Sequence, residues 1–379
     1  MPTARRRTTG AEKRRRHRLV ALALLVAAIF ALVLVLIWWN TRGPGPSVTP
    51  GHRLASLAAP EPFGTGPARN ERFAWPVKPF DRPHVLRATF GEPRGIKMGG
   101  APRDPGPQRA RYLNRMGQLT LGRRSLHTGV DIVAADGTPV YALTSGTAQV
   151  GGQGTDLHVI VGGFGYWHLT DAVPAGSPVT AFRTIIGRVT PGQGHVHLTR
   201  FNSIGPQDNV PGDRSGDPVN PLVAGGLTPY TDTAAPRLGG LVAFDAHQKA
   251  VPLHAITGPI VLAVNADDIQ SEGGTSVGLY TLGYQVLDSA GRTVVAPQDV
   301  LRFDTLPDRT VADRLYTVAS TRDRFRTDFW YRLTTRSPSD DGFLHAERLS
   351  PGRYIVRVSA GDARANSTTR DYPIRVGRP

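Results

Sequence analysis

Between residues 127 and 201 the chain strings together short apolar runs, "VDIVA", "PVYAL", "GTAQV", "HVIVGG", "YWHL", "IIGRV" and "HVHLTRF", with Gly, Pro and Asp between them. None sustains a helical period and each has the length of a strand, so the region reads as antiparallel β structure cut by tight turns. Shorter runs in "FAWPVKPF" (73–80) and "HVLRATFGEPRG" (84–95) open this region, and an irregular basic insertion fills 96–125. After a polar Pro/Gly stretch at 205–221, the runs "LVAFDAHQ", "IVLAVNADDI", "GLYTLGYQVLDSAGRTVV" and "GRYIVRVSAGDARANSTTRDYPIRVG" alternate apolar and polar positions. Turn signals at "DSAGR" and "SPGR" separate them, the pattern of an antiparallel, immunoglobulin-like β-sandwich.

One segment has a different pattern. Residues 19–39, "LVALALLVAAIFALVLVLIWW", are apolar and uncharged throughout. As a helix at ~1.5 Å per residue they reach roughly 31 Å, one bilayer crossing. A cleavable signal peptide fits less well, since its apolar core usually runs to about 7–15 residues. Residues 1–18 before the span carry Arg5, Arg6, Arg7, Lys13, Arg14, Arg15, Arg16 and Arg18 against Glu12 alone, so this end is expected in the cytoplasm and all that follows Asn40 outside it. The expected organisation is a basic tail (1–18), a membrane anchor (19–39), a Pro/Gly-rich tether (40–72), a compact antiparallel β domain (73–222) and a C-terminal β-sandwich (228–379).

Charge changes this picture little. About half of the formal +15 sits in the short tail and the rest is scattered, which argues against a nucleic-acid partner. The absence of cysteine matters more: it removes disulfides, thiol nucleophiles and thiolate metal sites, so any metal must be held by nitrogen and oxygen.

Such ligands are present at strand spacing. In an extended strand, positions i, i+2 and i+4 share a face, which sets His127, Gly129 and Asp131 side by side and pairs His195 with His197. Gly129 is expected to leave room for something bound. His168, in "FGYWHLT", adds an imidazole from a third segment. Two histidines and one aspartate match a catalytic zinc site, which keeps a fourth position open to water, and the remaining histidines suit proton transfer.

The run "HTGVDIVAADGTPVYALTSGTAQV" followed by "YWHL" and "HVHL" resembles the lysostaphin and LytM type of zinc endopeptidase, whose pattern is H-x-x-x-D, G-T-P-V, Y-x-H-L and H-x-H in that order. "FGEPRG" at 90–95 is similar to the F-G-x-R element that precedes the first metal histidine there. The resemblance spans about 85–200 and implies Zn2+ held by His127, Asp131 and His197, with His168 and His195 as the catalytic pair. It also implies a narrow-grooved antiparallel β domain whose substrates are the peptides of bacterial peptidoglycan. Here Leu198, Thr199 and Arg200 follow the H-x-H pair, where the family usually has an aromatic residue and a glutamate. The expectation is a membrane-anchored peptidoglycan hydrolase with its catalytic domain outside the cell membrane. The rival is a non-catalytic module that binds peptidoglycan or activates another hydrolase.

Other polar features read as ordinary. His158 is expected as a surface or satisfied strand histidine, and His247, His254 and His345 lack partners at ligand spacing. Asp267–Asp268 and "AGDARAN" could suggest calcium, but Asp and Asn at strand ends are common turn residues. "GTPV" is no phosphate loop, because no helix pattern follows it.

Overall fold

The computed structural model describes residues 72–94, 125–202, 218–223, 226–270, 274, 276–307, 311, 314–317, 320–322, 327–335 and 341–378. The expected tail, anchor and tether, and nearly all of the 96–125 insertion, lie outside the described residues. Within them the chain is mainly β with antiparallel sheets, and no helix reaches seven residues. None is long and apolar enough to cross a membrane.

The first β region is built on β1 (Leu86–Ala88), β2 (Val130–Val133), β3 (Gln149–Gly151), β4 (His158–Val161), β5 (Phe164–Trp167) and β6 (His195–Phe201). They lie in the order β1-β2-β6-β5-β4-β3, and Pro218–Val219 adds to the end of β6. Alternation explains the layout: Val130 and Ile132 of β2 and Val196 and Leu198 of β6 are fully buried in one apolar core with Trp75, Tyr166 and Ile186. Their neighbours in sequence must then face the other way. A smaller sheet of Leu169–Thr170, Ile185–Val189 and Pro139–Tyr141 supplies Val140, Leu169 and Ile186 to the same core.

The second region holds β7 (Arg237–Phe244), β8 (Pro259–Ile269), β9 (Thr281–Asp288), β10 (Thr293–Arg302), β11 (Gly352–Gly361) and β12 (Ser367–Val376). Strands β7 and β8 pair in one sheet, and β10-β9-β11-β12 form another. Leu262 and Val264 of β8, Val286 of β9, and Val356 and Val358 of β11 close a second apolar core. "DSAGR" is the hairpin turn the pattern calls for, with Asp288 Oδ1 accepting from the Ala290 and Arg292 amides.

The two cores meet. Phe90 and Leu126, from the first region, pack in the second core, where the Phe90 ring stands edge-on to Phe303 with centroids 6.4 Å apart. Residues 67–379 accordingly cluster as one unit.

Candidate active site

Strand register places the site. In the β2–β6 ladder His197 lies opposite Asp131, and Val196 and Leu198 lie opposite Ile132 and Val130. A one-residue slip would send the apolar set outward and the polar set into the core, so the hydrophobic pattern holds the register. On the other edge of β6, His197 pairs with Trp167, which brings the end of β5 and His168 alongside.

Three acceptor atoms converge there. His127 Nε2 is 2.9 Å from Asp131 Oδ1 and 2.7 Å from His197 Nδ1, and the latter is 3.0 Å from the same carboxylate oxygen. All three side chains are buried. The Nδ1–H of His127 donates to the Thr89 carbonyl at 2.7 Å, so in the neutral ring Nε2 presents a lone pair. His197 Nε2 faces the hydroxyl of Thr199 at 2.8 Å. Donation there makes Nδ1 an acceptor too, and a proton kept on Nδ1 instead would serve only one of the two contacts. A cation at the meeting point resolves the conflict, and these residues could hold a metal ion. The separations are close to the edge of about 3.3 Å expected for a tetrahedral ion with bonds of ~2.0–2.1 Å.

The electrostatics favour an ionised carboxylate beside neutral His197 and His195 rings. Burial alone would raise the Asp131 carboxyl, but His127 and then His197 outweigh it and hold it well below its usual range. Burial pushes His197 down to about 3 against the pull of Asp131, and brings His195 to about 4, with Arg87 adding to the depression. An ionised carboxylate beside neutral rings suits a positive partner.

His195 and His168 border this centre. The His195 Nδ1–H donates to Gln193 O at 2.6 Å and its Nε2 stands 3.7 Å from Asp131 Oδ1. The His168 Nδ1–H donates to Thr155 O at 2.6 Å, and the two rings are 4.7 Å apart. For His168 this selects the tautomer that leaves Nε2 unprotonated; at His195 the shorter carbonyl contact favours the same tautomer, against Arg87 Nη1, a donor 3.1 Å from the same Nδ1. His168 has φ of 66°, where the chain leaves β5 for the smaller sheet. Left-handed backbone at a non-glycine residue costs of order 1–3 kcal/mol and persists where its surroundings impose it.

All five histidine and aspartate residues read from the spacing come together. Several supporting residues were not read. Arg94 donates to Asp131 Oδ2 at 3.2 Å and to Glu92 Oε2 at 3.1 Å. Glu92, fully buried, also accepts from the Thr89 and Gly278 amides, so the carboxylate ties the metal-site strand to the second β region. "FGEPRG" was the only signal for this pair.

Gly129 leaves no space for a ligand. A Cβ there would lie 2.0 Å from the Leu198 carbonyl oxygen, so the glycine lets β6 approach. Gly129→Ala should cost about 3 kcal/mol or more, the upper range for an overpacked site, and lower metal uptake with it. Thermal unfolding and metal content check this, and an unchanged midpoint would show that the strands part there freely.

Outside the site, His158 stacks on Trp167 with centroids 4.9 Å apart, and His247 and His254 are exposed. His345 does have partners: Asp341 at 2.6 Å on Nε2 and Glu347 at 2.7 Å on Nδ1. Each carboxylate takes a different ring nitrogen, which makes an ion pair rather than a cage.

Comparison with known proteins finds no family model that matches the chain, and no curated protein or solved structure similar to it.

Proposed function

We propose that the chain is a membrane-anchored zinc metalloendopeptidase of lysostaphin and LytM type, which hydrolyses peptide cross-links of bacterial peptidoglycan. The observation that carries this reading is the convergence of His127 Nε2, Asp131 Oδ1 and His197 Nδ1 as buried acceptors without enough protons to share. Nitrogen and oxygen ligands in a two-to-one ratio suit zinc, and cysteine is absent from the chain. Held by His127, Asp131 and His197, a zinc ion would supply polarisation of the scissile carbonyl and a water made nucleophilic near neutral pH.

The remaining work falls to this chain's own groups. His195 Nε2, unprotonated and beside the three ligands, takes the proton of the attacking water. His195 then passes that proton to the leaving amine, which balances the step, and the His168 ring, 4.7 Å from that of His195, helps to orient the reacting groups. The anchor at 19–39 would keep this chemistry at the outer face of the cell membrane, and the second β region would form the sandwich that docks the enzyme on the wall.

The test is release of soluble peptide from purified bacterial sacculi by the full chain in detergent. The wild type should release peptide and Asp131→Asn should not. A reporter enzyme fused after Pro379 should be active only outside the cytoplasm. Binding to sacculi with no cleavage by either protein would favour the non-catalytic module.

A further inference from the structure

Strand β8 carries a carboxylate where its pattern calls for an apolar residue. Val264 and Ala266 alternate onto the buried face, and Asp268 and Gln270 follow in the same phase, each only 3 % exposed. Gln270 is satisfied, its Oε1 accepting from the Leu86 amide and its Nε2 donating to Tyr230 Oη. Asp268 is not, for its Oδ1 is buried without a hydrogen-bond partner. Burying such an oxygen without compensation is costly.

Two further carboxylates surround it. Asp232 comes from the connection that leads into β7, and Asp362 follows the end of β11; each is 6 % exposed. One carboxylate oxygen from each of the three residues lies within 4.8 Å of the others. Arg364 offsets only part of this charge: its guanidinium attracts Asp362 and Asp232, while its side-chain hydrogen bonds go to backbone oxygens. Arg364 gives its Nε to Tyr230 O and its Nη2 to Leu227 O, and its guanidinium lies over the Tyr230 ring at 4.9 Å. Asn366 Nδ2 donates to Asp362 Oδ2 at 2.6 Å and to Asp232 O at 2.9 Å, but adds no positive charge.

We propose that Asp232, Asp268 and Asp362 form a calcium site that fastens the 226–236 connection to the ends of β8 and β11. Oxygens bound to one calcium ion at ~2.3–2.6 Å are at most about 5 Å apart, so this cluster fits around an ion with little movement. All-oxygen, acidic ligation selects a hard cation, and burial favours calcium over magnesium, which gives up its water reluctantly. The unpaired Asp268 oxygen gains a partner. Without an ion, burial and then the charges of Asp232 and Asp362 push Asp268 up to about 8, so a shared proton is the competing way to hold the cluster together. The site shares no residue with the histidine centre and does not depend on its function.

The experiment is calcium binding by isothermal titration of the full chain in detergent, stripped of metals beforehand, with thermal unfolding in parallel. Wild type and Asp131→Asn should each take up one calcium and gain thermal stability, since the histidine centre is not involved. Asp268→Asn keeps the shape of the residue and should bind calcium at least about tenfold more weakly, because even groups behind the ligands cost roughly 10–100-fold. Asp362→Asn, which keeps the acceptor for the Arg364 and Asn366 amides, serves as the second variant should Asp268→Asn fail to fold. No calcium uptake by wild type, or wild-type affinity in a folded Asp→Asn variant, would overturn the proposal. A rise in stability on Asp268→Asn, with no calcium taken up by wild type, would assign the cluster to a shared proton.

Discussion

The full chain should purify with close to one zinc ion, and His197→Ala should lose most of it. The imidazole of His197 is one of three atoms that meet at 2.7–3.0 Å, and nothing nearby replaces it: Thr199 Oγ1 touches the far ring nitrogen, and His195 Nε2 is 3.7 Å from Asp131 Oδ1. Two ligands hold an ion far less firmly than three, and loss of a direct ligand should exceed the roughly 10–100-fold cost of removing a supporting group. The fold should survive. Val196 and Leu198 still fill the core on the other face of β6, and the backbone ladder to β2 is unchanged. Elemental analysis alongside thermal unfolding separates the outcomes: equal zinc in both proteins would remove His197 from the ligand set, and a collapsed midpoint would make the loss one of folding.

The site was legible in the sequence wherever it depends on the two-residue period of a strand. His195 and His197 share a face of β6 by that rule, whereas His127 precedes β2 and reaches Asp131 through the bend at Gly129; tight turns at Gly and Asp mark where strands end. The phase that sets His197 and Asp131 on one face follows from the apolar residues beside them, because a one-residue slip would turn Val130, Ile132, Val196 and Leu198 away from their shared core. What could not be read were contacts between distant segments. Glu92 and Arg94 act on Asp131 across the 95–124 stretch, and nothing local marks Gly278 as a donor to Glu92. The sequence presents Asp268 as a turn residue, because a carboxylate near a strand end usually is one. Its burial becomes visible only when the alternation of β8 is followed to the strand's end and Asp232 and Asp362 are brought beside it. Gly129 is illegible for the same reason: the neighbour that excludes a side chain, the Leu198 carbonyl, lies on another strand.

His195→Ala should keep its zinc and lose roughly 10²–10⁴-fold in cleavage rate, the usual worth of general acid–base catalysis. Although His195 is only two residues from His197 and on the same face, its environment assigns it a different task. Its Nδ1 is held by Gln193 O at 2.6 Å and Arg87 Nη1 at 3.1 Å, and its Nε2 lies outside the tight triangle of acceptors. Burial with the nearby Arg87 charge keeps the ring neutral at ordinary pH, so Nε2 is available to take a proton. Removing the ring takes no atom from the triangle, which is why zinc content should hold. His168→Ala should behave alike, because its ring is 4.7 Å from that of His195 and its Nδ1 is likewise tied to a backbone carbonyl. The measurement is peptide release from sacculi at saturating zinc, with metal content determined on the same preparations. Loss of zinc in His195→Ala would exchange the roles of His195 and His197, whereas a variant that keeps both zinc and rate would leave proton transfer to His168 or to solvent.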